Sequence, residues 1–199
     1  MTEVLSRVSP WNIANYLTVL RLLLVPVFLG FLLAEDGGNA GYRLVAAGVF
    51  LLAALTDRID GQIARSRGLI TSFGKLADPI ADKTLIGAAL VGLSLLGDLW
   101  WWVTVVVLVR EIGVTVLRFV VIRHGVMPAG RGGKLKTVLQ TVAITLYLLP
   151  LTGVLATLAV AVMVAAVVVT VVTGVEIVVK ALVLRTTSER ADMKRAARG

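Results

Sequence analysis

The chain has 199 residues, of which 58% are hydrophobic and 16% charged, and its mean hydropathy is +0.92. A soluble domain is about 45–50% apolar and about 25% charged, so this composition excludes an ordinary soluble fold and points to one integral membrane domain over residues 1–199. The net charge of +8 does not indicate a nucleic-acid partner, because the basic residues flank apolar segments, and with no cysteine there is no disulfide or thiolate chemistry.

Residues 1–16 lack the basic region and small-residue cleavage site of a signal peptide. In "SPWNIANY" Ser9 can cap a helix whose first position is Pro10. Trp11 and Tyr16 suit the headgroup level, so a short interfacial helix is expected here. Six apolar segments follow, at 17–34, 43–56, 76–96, 99–122, 137–149 and 153–184. About 20 apolar residues cross a bilayer as a helix, so the expectation is an all-α protein with six transmembrane helices. The second segment is short unless its helix runs on through Asp57 to Arg65. The last is longer than a span requires, so it tilts or emerges from the bilayer. Asn12, Asn15 and Arg21 sit at the start of the first span and read as headgroup anchors, although Asn15 or Arg21 could also reach a phosphate. Trp100, Trp101 and Trp102 read as an interface belt, and His124, the only histidine, is given no role.

An even number of spans puts both termini on one side. On that side the connections and tails carry thirteen basic residues: Arg7; Arg65, Arg67 and Lys75; Arg123, Arg131, Lys134 and Lys136; Arg185, Arg190, Lys194, Arg195 and Arg198. The other side has Arg43 alone. Positive residues stay cytoplasmic, so both termini are expected in the cytoplasm, with residues 185–199 as a basic tail facing lipid headgroups.

Asp57, Asp60, Asp78 and Asp82 interrupt this pattern at the cytoplasmic ends of the second and third segments. Spacings of three and four put each pair on one side of its helix, and the short loop between brings the pairs opposite each other. Four converging carboxylates repel and resist desolvation. Hard divalent cations with oxygen ligands resolve that conflict, and two of them would balance four carboxylates. Gly61, Ala64 and Gly74 leave room for a ligand to approach the backbone, and Arg65 offers a bidentate donor to phosphate.

The run D57-R-I-D60-G61-Q-I-A64-R65, followed after eight residues by G74-K-L-A-D78-P-I-A-D82, resembles the signature of the CDP-alcohol phosphotransferases at every specified position. The resemblance implies a six-helix membrane enzyme with a cytoplasm-facing site for two magnesium or manganese ions. It implies that Asp57, Asp60, Asp78 and Asp82 bind the metals, that Asp82 is also the base, and that Gly61, Ala64, Arg65 and Gly74 line the CDP site. It further implies a homodimer. "DPIADK", "REIGVTVLRF" and "GGKLKT" are similar to the branch of that family, in its actinobacterial form, that moves a phosphatidyl group from CDP-diacylglycerol to sn-glycerol 3-phosphate.

The acceptor's own phosphate needs cations. Arg110 and Arg118 lie inside apolar sequence, where ionisable residues are functional candidates, and eight residues set them about 80° apart on a helix. With Lys134 they are the expected acceptor ligands; Arg131 and Lys136 stand behind them and read first as topology signals. For Arg110 an internal ion pair with Glu111 or an aspartate is an equal alternative. Inositol phosphate is the alternative acceptor. A membrane cation transporter is the alternative class, although it would bury its acids nearer the bilayer midplane.

Overall fold

A computed structural model describes the backbone of residues 13–66, 72–121 and 131–196, and the side chains of 16–56, 81, 83–117 and 133–184. The described residues are helical throughout apart from short turns: α1 Ile13–Leu33, α2 Ala40–Ser66, α3 Ser72–Leu95, α4 Trp101–Val121, α5 Arg131–Leu148 and α6 Val154–Ala196. Each of the six apolar segments thus falls on its own helix. The second helix does run on through Asp57 and Arg65, ending at Ser66. The third begins at Ser72, four residues before its apolar run, and so takes in Gly74. The sixth continues past Leu184 to Ala196, so much of the basic tail is helical.

Tyr16–Gly37 and Val154–Leu184, of 22 and 31 residues, are long and apolar enough to cross a membrane, whereas Ala40–Thr56 and Lys83–Leu95 are shorter apolar runs. α4, with 21 residues, is about 31 Å long, near the thickness of a hydrocarbon core. It carries Arg110 and Glu111 at its middle. The expected interfacial helix before Ile13 lies largely outside the described residues.

The chain divides into two compact units. The first comprises Met1–Leu99 and Ile144–Ala156, and the second Trp100–Ala143 and Thr157–Gly199. In the first unit α1 packs against both α2 and α3. Its buried face is a single stripe, Thr18, Arg21, Val25, Phe28 and Leu32, spaced by three and four residues. The opposite face exposes Val19, Leu20, Leu23 and Val27, as expected of a helix against lipid. Phe28 meets Phe50 of α2 with ring centroids 5.8 Å apart. Gly92 of α3 lies so close to α1 that a Cβ would come within 2.7 Å of Leu32 and 3.2 Å of Leu29. A small residue at that point is what lets the two backbones approach.

The turns follow local chemistry. Glu35, Asp36 and Gly37 all have left-handed φ, between 51° and 70°, which reverses the chain between α1 and α2. Asn39 caps α2 by accepting hydrogen bonds from the backbone N–H groups of Gly41 and Tyr42 at 2.9 and 3.2 Å. α3 closes in a Schellman motif: Gly97 is left-handed, its N–H donates to Ser94 and the N–H of Asp98 donates to Leu93.

Arg43 ties these turns together. Its Nη1 is 2.7 Å from the Asp98 carboxylate and donates to the Gly37 carbonyl at 3.4 Å. Its Nη2 and Nε donate to the carbonyls of Tyr147 and Leu148 at the end of α5, at 2.7 and 3.2 Å. One guanidinium therefore meets carbonyls at the ends of two segments, which helix geometry leaves without partners, and a carboxylate just after a third. Removing it should cost about 2–4 kcal/mol, because hydrogen bonds to charged groups contribute about 1.5–3 kcal/mol and a bare carboxylate is left behind. Arg43→Ala should lower the thermal unfolding midpoint in detergent clearly, and Asp98→Asn should lower it less, since the three carbonyl contacts survive.

Candidate active site

The first unit carries the acidic residues. On α2 the buried positions Ala46, Phe50 and Ala53 follow a spacing of four and three. The same spacing, continued, falls on Asp57 and Asp60 in the last turns of that helix. On α3 the buried Leu85 and Ala89, together with Gly92 against α1, follow the spacing that begins at Asp78 and Asp82. Both acidic pairs are therefore extensions of apolar core stripes toward the end of the unit where α2 stops and α3 starts. The side chains of these four aspartates lie outside the described ones, as do those of Gly61, Ala64, Arg65, Gly74 and Arg118. Among the described residues no group of three or more histidine, cysteine or acidic side chains could hold a metal. The donor set that fits hard divalent cations is the four aspartates, all oxygen donors and all placed by two helices in contact.

Sequence reasoning gave Arg21 too little. As a headgroup anchor it would be exposed, yet its relative exposure is 0% and that of Thr18, one turn away, is 1%. The signal was present in the spacing of Thr18, Arg21, Val25, Phe28 and Leu32, which sets the arginine on the core face of α1.

The second unit carries the basic residues. Glu111 of α4 is the hub: one oxygen, Oε1, is 3.0 Å from Arg110 Nη1 and 2.5 Å from Lys136 Nζ of α5. All three side chains are nearly buried, at 11%, 12% and 8% exposure for Arg110, Glu111 and Lys136. Arg110 also reaches α6, where Nε donates to the Thr170 carbonyl at 3.2 Å and Nη2 donates to Thr173 Oγ1 at 3.0 Å. The guanidinium stem lies on Gly174, where a Cβ would be 3.0 Å from Arg110 Cγ. Gln140 of α5 completes the network by donating to Thr170 Oγ1 at 3.0 Å.

Of the expected acceptor ligands, Arg110 is thus paired with Glu111, as the alternative reading had it, and is anchored on α6 as well. Lys134 is exposed near the start of α5. Lys136, given a secondary place from the sequence, is buried and joined to Glu111. Two cations therefore share one carboxylate oxygen in an apolar setting. Trp100, Trp101 and Trp102 are exposed at the start of α4, as a belt requires, and the rings of Trp100 and Trp102 stack at 6.4 Å.

The profile of the CDP-alcohol phosphatidyltransferase family matches residues 11–172. A probable phosphatidylglycerophosphate synthase of Mycobacterium tuberculosis is 57% identical over 180 residues, covering 90% of this chain and 86% of the relative. A CDP-diacylglycerol–glycerol-3-phosphate 3-phosphatidyltransferase of Bacillus subtilis is 38% identical over 149 residues, 70% of this chain and 77% of the relative. One of the same description from Rickettsia felis is 40% identical over 139 residues, 69% of this chain and 75% of the relative.

The Glu111 hub makes a stability forecast. Truncating one partner of a buried ion cluster typically costs about 3–5 kcal/mol, because the remaining charges are left unpaired. Glu111→Ala should therefore lower the unfolding midpoint of the purified protein strongly. Glu111→Ala combined with Lys136→Met should be less damaging than the two single losses added together. Additive losses in that double-mutant cycle would refute the hub.

Proposed function

The chain belongs to the CDP-alcohol phosphatidyltransferase family, and from that premise we propose that it transfers the phosphatidyl group of CDP-diacylglycerol to sn-glycerol 3-phosphate, releasing CMP and forming phosphatidylglycerophosphate. The observation that carries this reading is the agreement between the intact acidic signature on α2 and α3 and relatives of that activity along most of the chain. The alternative class, a cation transporter, has no support from these relatives, which are named as a synthase and as phosphatidyltransferases.

In this reading α1 to α6 each cross the cell membrane, both termini lie in the cytoplasm, and the site faces the cytoplasm. The excess of basic residues on one side supports that orientation. The two units act as one catalytic domain, since the family profile spans both, and the protein works as a homodimer, as the family resemblance implies.

Asp57, Asp60, Asp78 and Asp82 hold two divalent cations, magnesium or manganese, which when bound neutralise the diphosphate and the charge that grows on departing CMP. Gly61, Ala64 and Gly74 leave the helix surfaces open to CDP, and Arg65 donates to its phosphates. Asp82 takes the proton from the primary hydroxyl of the acceptor, whose oxygen attacks the phosphorus bearing diacylglycerol. The bond from that phosphorus to the CMP oxygen breaks. A positioned base of this kind contributes about 10²–10⁴-fold. Arg110, Arg118 and Lys134 bind the acceptor's phosphate, and the basic residues of α4 and the start of α5 support a phosphorylated acceptor over a neutral alcohol.

Purified protein given CDP-diacylglycerol, metal and a panel of acceptors should release CMP with glycerol 3-phosphate and not with serine. Chelation should abolish release, and magnesium or manganese should restore it. Full turnover in excess chelator would refute the metal reading, and a preference for inositol phosphate would move the acceptor assignment.

The acceptor ligands have their own test. A charge-assisted hydrogen bond contributes about 1.5–3 kcal/mol, or roughly 10–150-fold in affinity. Arg118→Ala and Lys134→Ala should raise the KM for glycerol 3-phosphate by about that factor and move the KM for CDP-diacylglycerol much less. Arg118→Lys should restore only part of the loss, because lysine keeps the charge without the planar fork. If both alanine variants keep the acceptor KM, the phosphate is held elsewhere.

A further inference from the structure

The largest fully buried side chain described in the protein is a charged one, Arg21. A guanidinium stays protonated under all ordinary conditions, so its complete burial requires the company of hydrogen-bond acceptors or an opposite charge. The packing of α1 indicates where that company lies. Arg21 is on the same stripe as Phe28 and Leu32, which face α2 through Phe50 and α3 through Gly92. Successive helices here run antiparallel. Seven residues before Phe28 on α1 is Arg21, and seven residues after Phe50 on α2 is Asp57. α3 runs parallel to α1. Stepping back from Leu29 and Leu32 to Arg21, and by equal amounts from Gly92, brackets Ala81 to Thr84 on α3, a window that contains Asp82. Ala81 itself is fully buried, so the core reaches that level. The register thus sets one buried arginine at the height of one aspartate from each acidic pair.

We propose that Arg21 is a positioning residue of the catalytic centre, and that its buried guanidinium supplies the counter-charge that lets the aspartates of α2 and α3 be brought together. Zero exposure separates this role from that of a substrate ligand, which has to present a surface. The charge balance agrees with it. Four carboxylates and two divalent cations sum to zero, and a diphosphate then adds two negative charges. Arg21 adds to the cations that the signature segment carries itself, Arg58, Arg65, Arg67, Lys75 and Lys83. Like-charge repulsion among the acids is greatest before metal binds, so the arginine contributes most to the metal-free protein. The proposal rests on the reading of these aspartates as the catalytic acids, but its first test requires no metal.

The test is a double-mutant cycle in excess chelator, read as thermal unfolding in detergent, pairing Arg21→Met with Asp57→Asn and separately with Asp82→Asn. Arg21→Met alone should lower the midpoint by about 5–10 °C, the size expected when one partner of a buried ion pair is lost. In either Asn background that loss should shrink by about half or more, because fewer acids then need the counter-charge. Arg21→Lys keeps the charge and should retain most of the midpoint, which supplies a reading if Arg21→Met fails to fold. Manganese binding, followed by its electron paramagnetic resonance signal, is the second arm. Arg21→Met should bind manganese roughly ten-fold more tightly than the parent, since the ions no longer share the acids with a fixed cation. Strictly additive losses in both cycles, or a manganese affinity that Arg21→Met leaves unchanged, would overturn the proposal. If the parent protein binds no manganese, the metal reading falls, and the metal-free cycles still decide the role of Arg21.

Discussion

A charged side chain inside an apolar helical protein has to be met by a partner, and that requirement organises this chain. Leaving an ion unpaired away from water costs several kcal/mol, more than most single packing contacts contribute. Arg43 meets Asp98 and three backbone carbonyls, which joins the ends of α1, α3 and α5 within the first unit. Glu111 meets Arg110 and Lys136, which joins α4 to α5, and the remaining donors of Arg110 reach α6 within the second. The ionic groups thus do in the interior what loops do outside: they determine which helices are neighbours and at what height.

Close approach is the second condition, and glycine supplies it where charge or chain direction demands it. Gly174 lets the Arg110 stem lie on α6, so that a buried guanidinium can bond to a helix carbonyl. Gly92 brings α3 against α1 and so sets the height of Asp82 relative to Arg21. At Gly37, φ is +70° and a Cβ would come within 2.6 Å of Leu96, so both backbone and space exclude a side chain there. None of these glycines belongs to the acidic signature, yet two of them help to place the residues that the proposed chemistry uses.

The two units divide the proposed work by charge. In the proposed reading the first carries the acids that would hold metal and remove a proton, and the second carries Arg110, Arg118 and Lys134, the proposed acceptor ligands. Transfer between two anionic substrates requires both, since a diphosphate and a phosphomonoester repel each other unless each has its own counter-charges. The same division accounts for a strongly basic chain whose acidic residues include four within 26 positions.

The sequence by itself determined the helical class, the six helices and the acidic motif, because hydropathy and helical spacing are local properties of the chain. It left the second helix two choices, to stop short of a span or to run on through Asp57 to Arg65, and the structure takes the second. It could not rank the cations. Arg21 looked like a headgroup anchor and Lys136 a topology signal, yet both are buried. The reason is physical: whether a basic side chain faces lipid headgroups, a carboxylate or solvent depends on which helix face meets a neighbour. That is decided by contacts such as Phe28 on Phe50, Leu32 on Gly92 and Arg110 on Gly174, between residues 22 to 64 positions apart. Only the tertiary structure brings such residues together, and with them the partner that each buried charge requires.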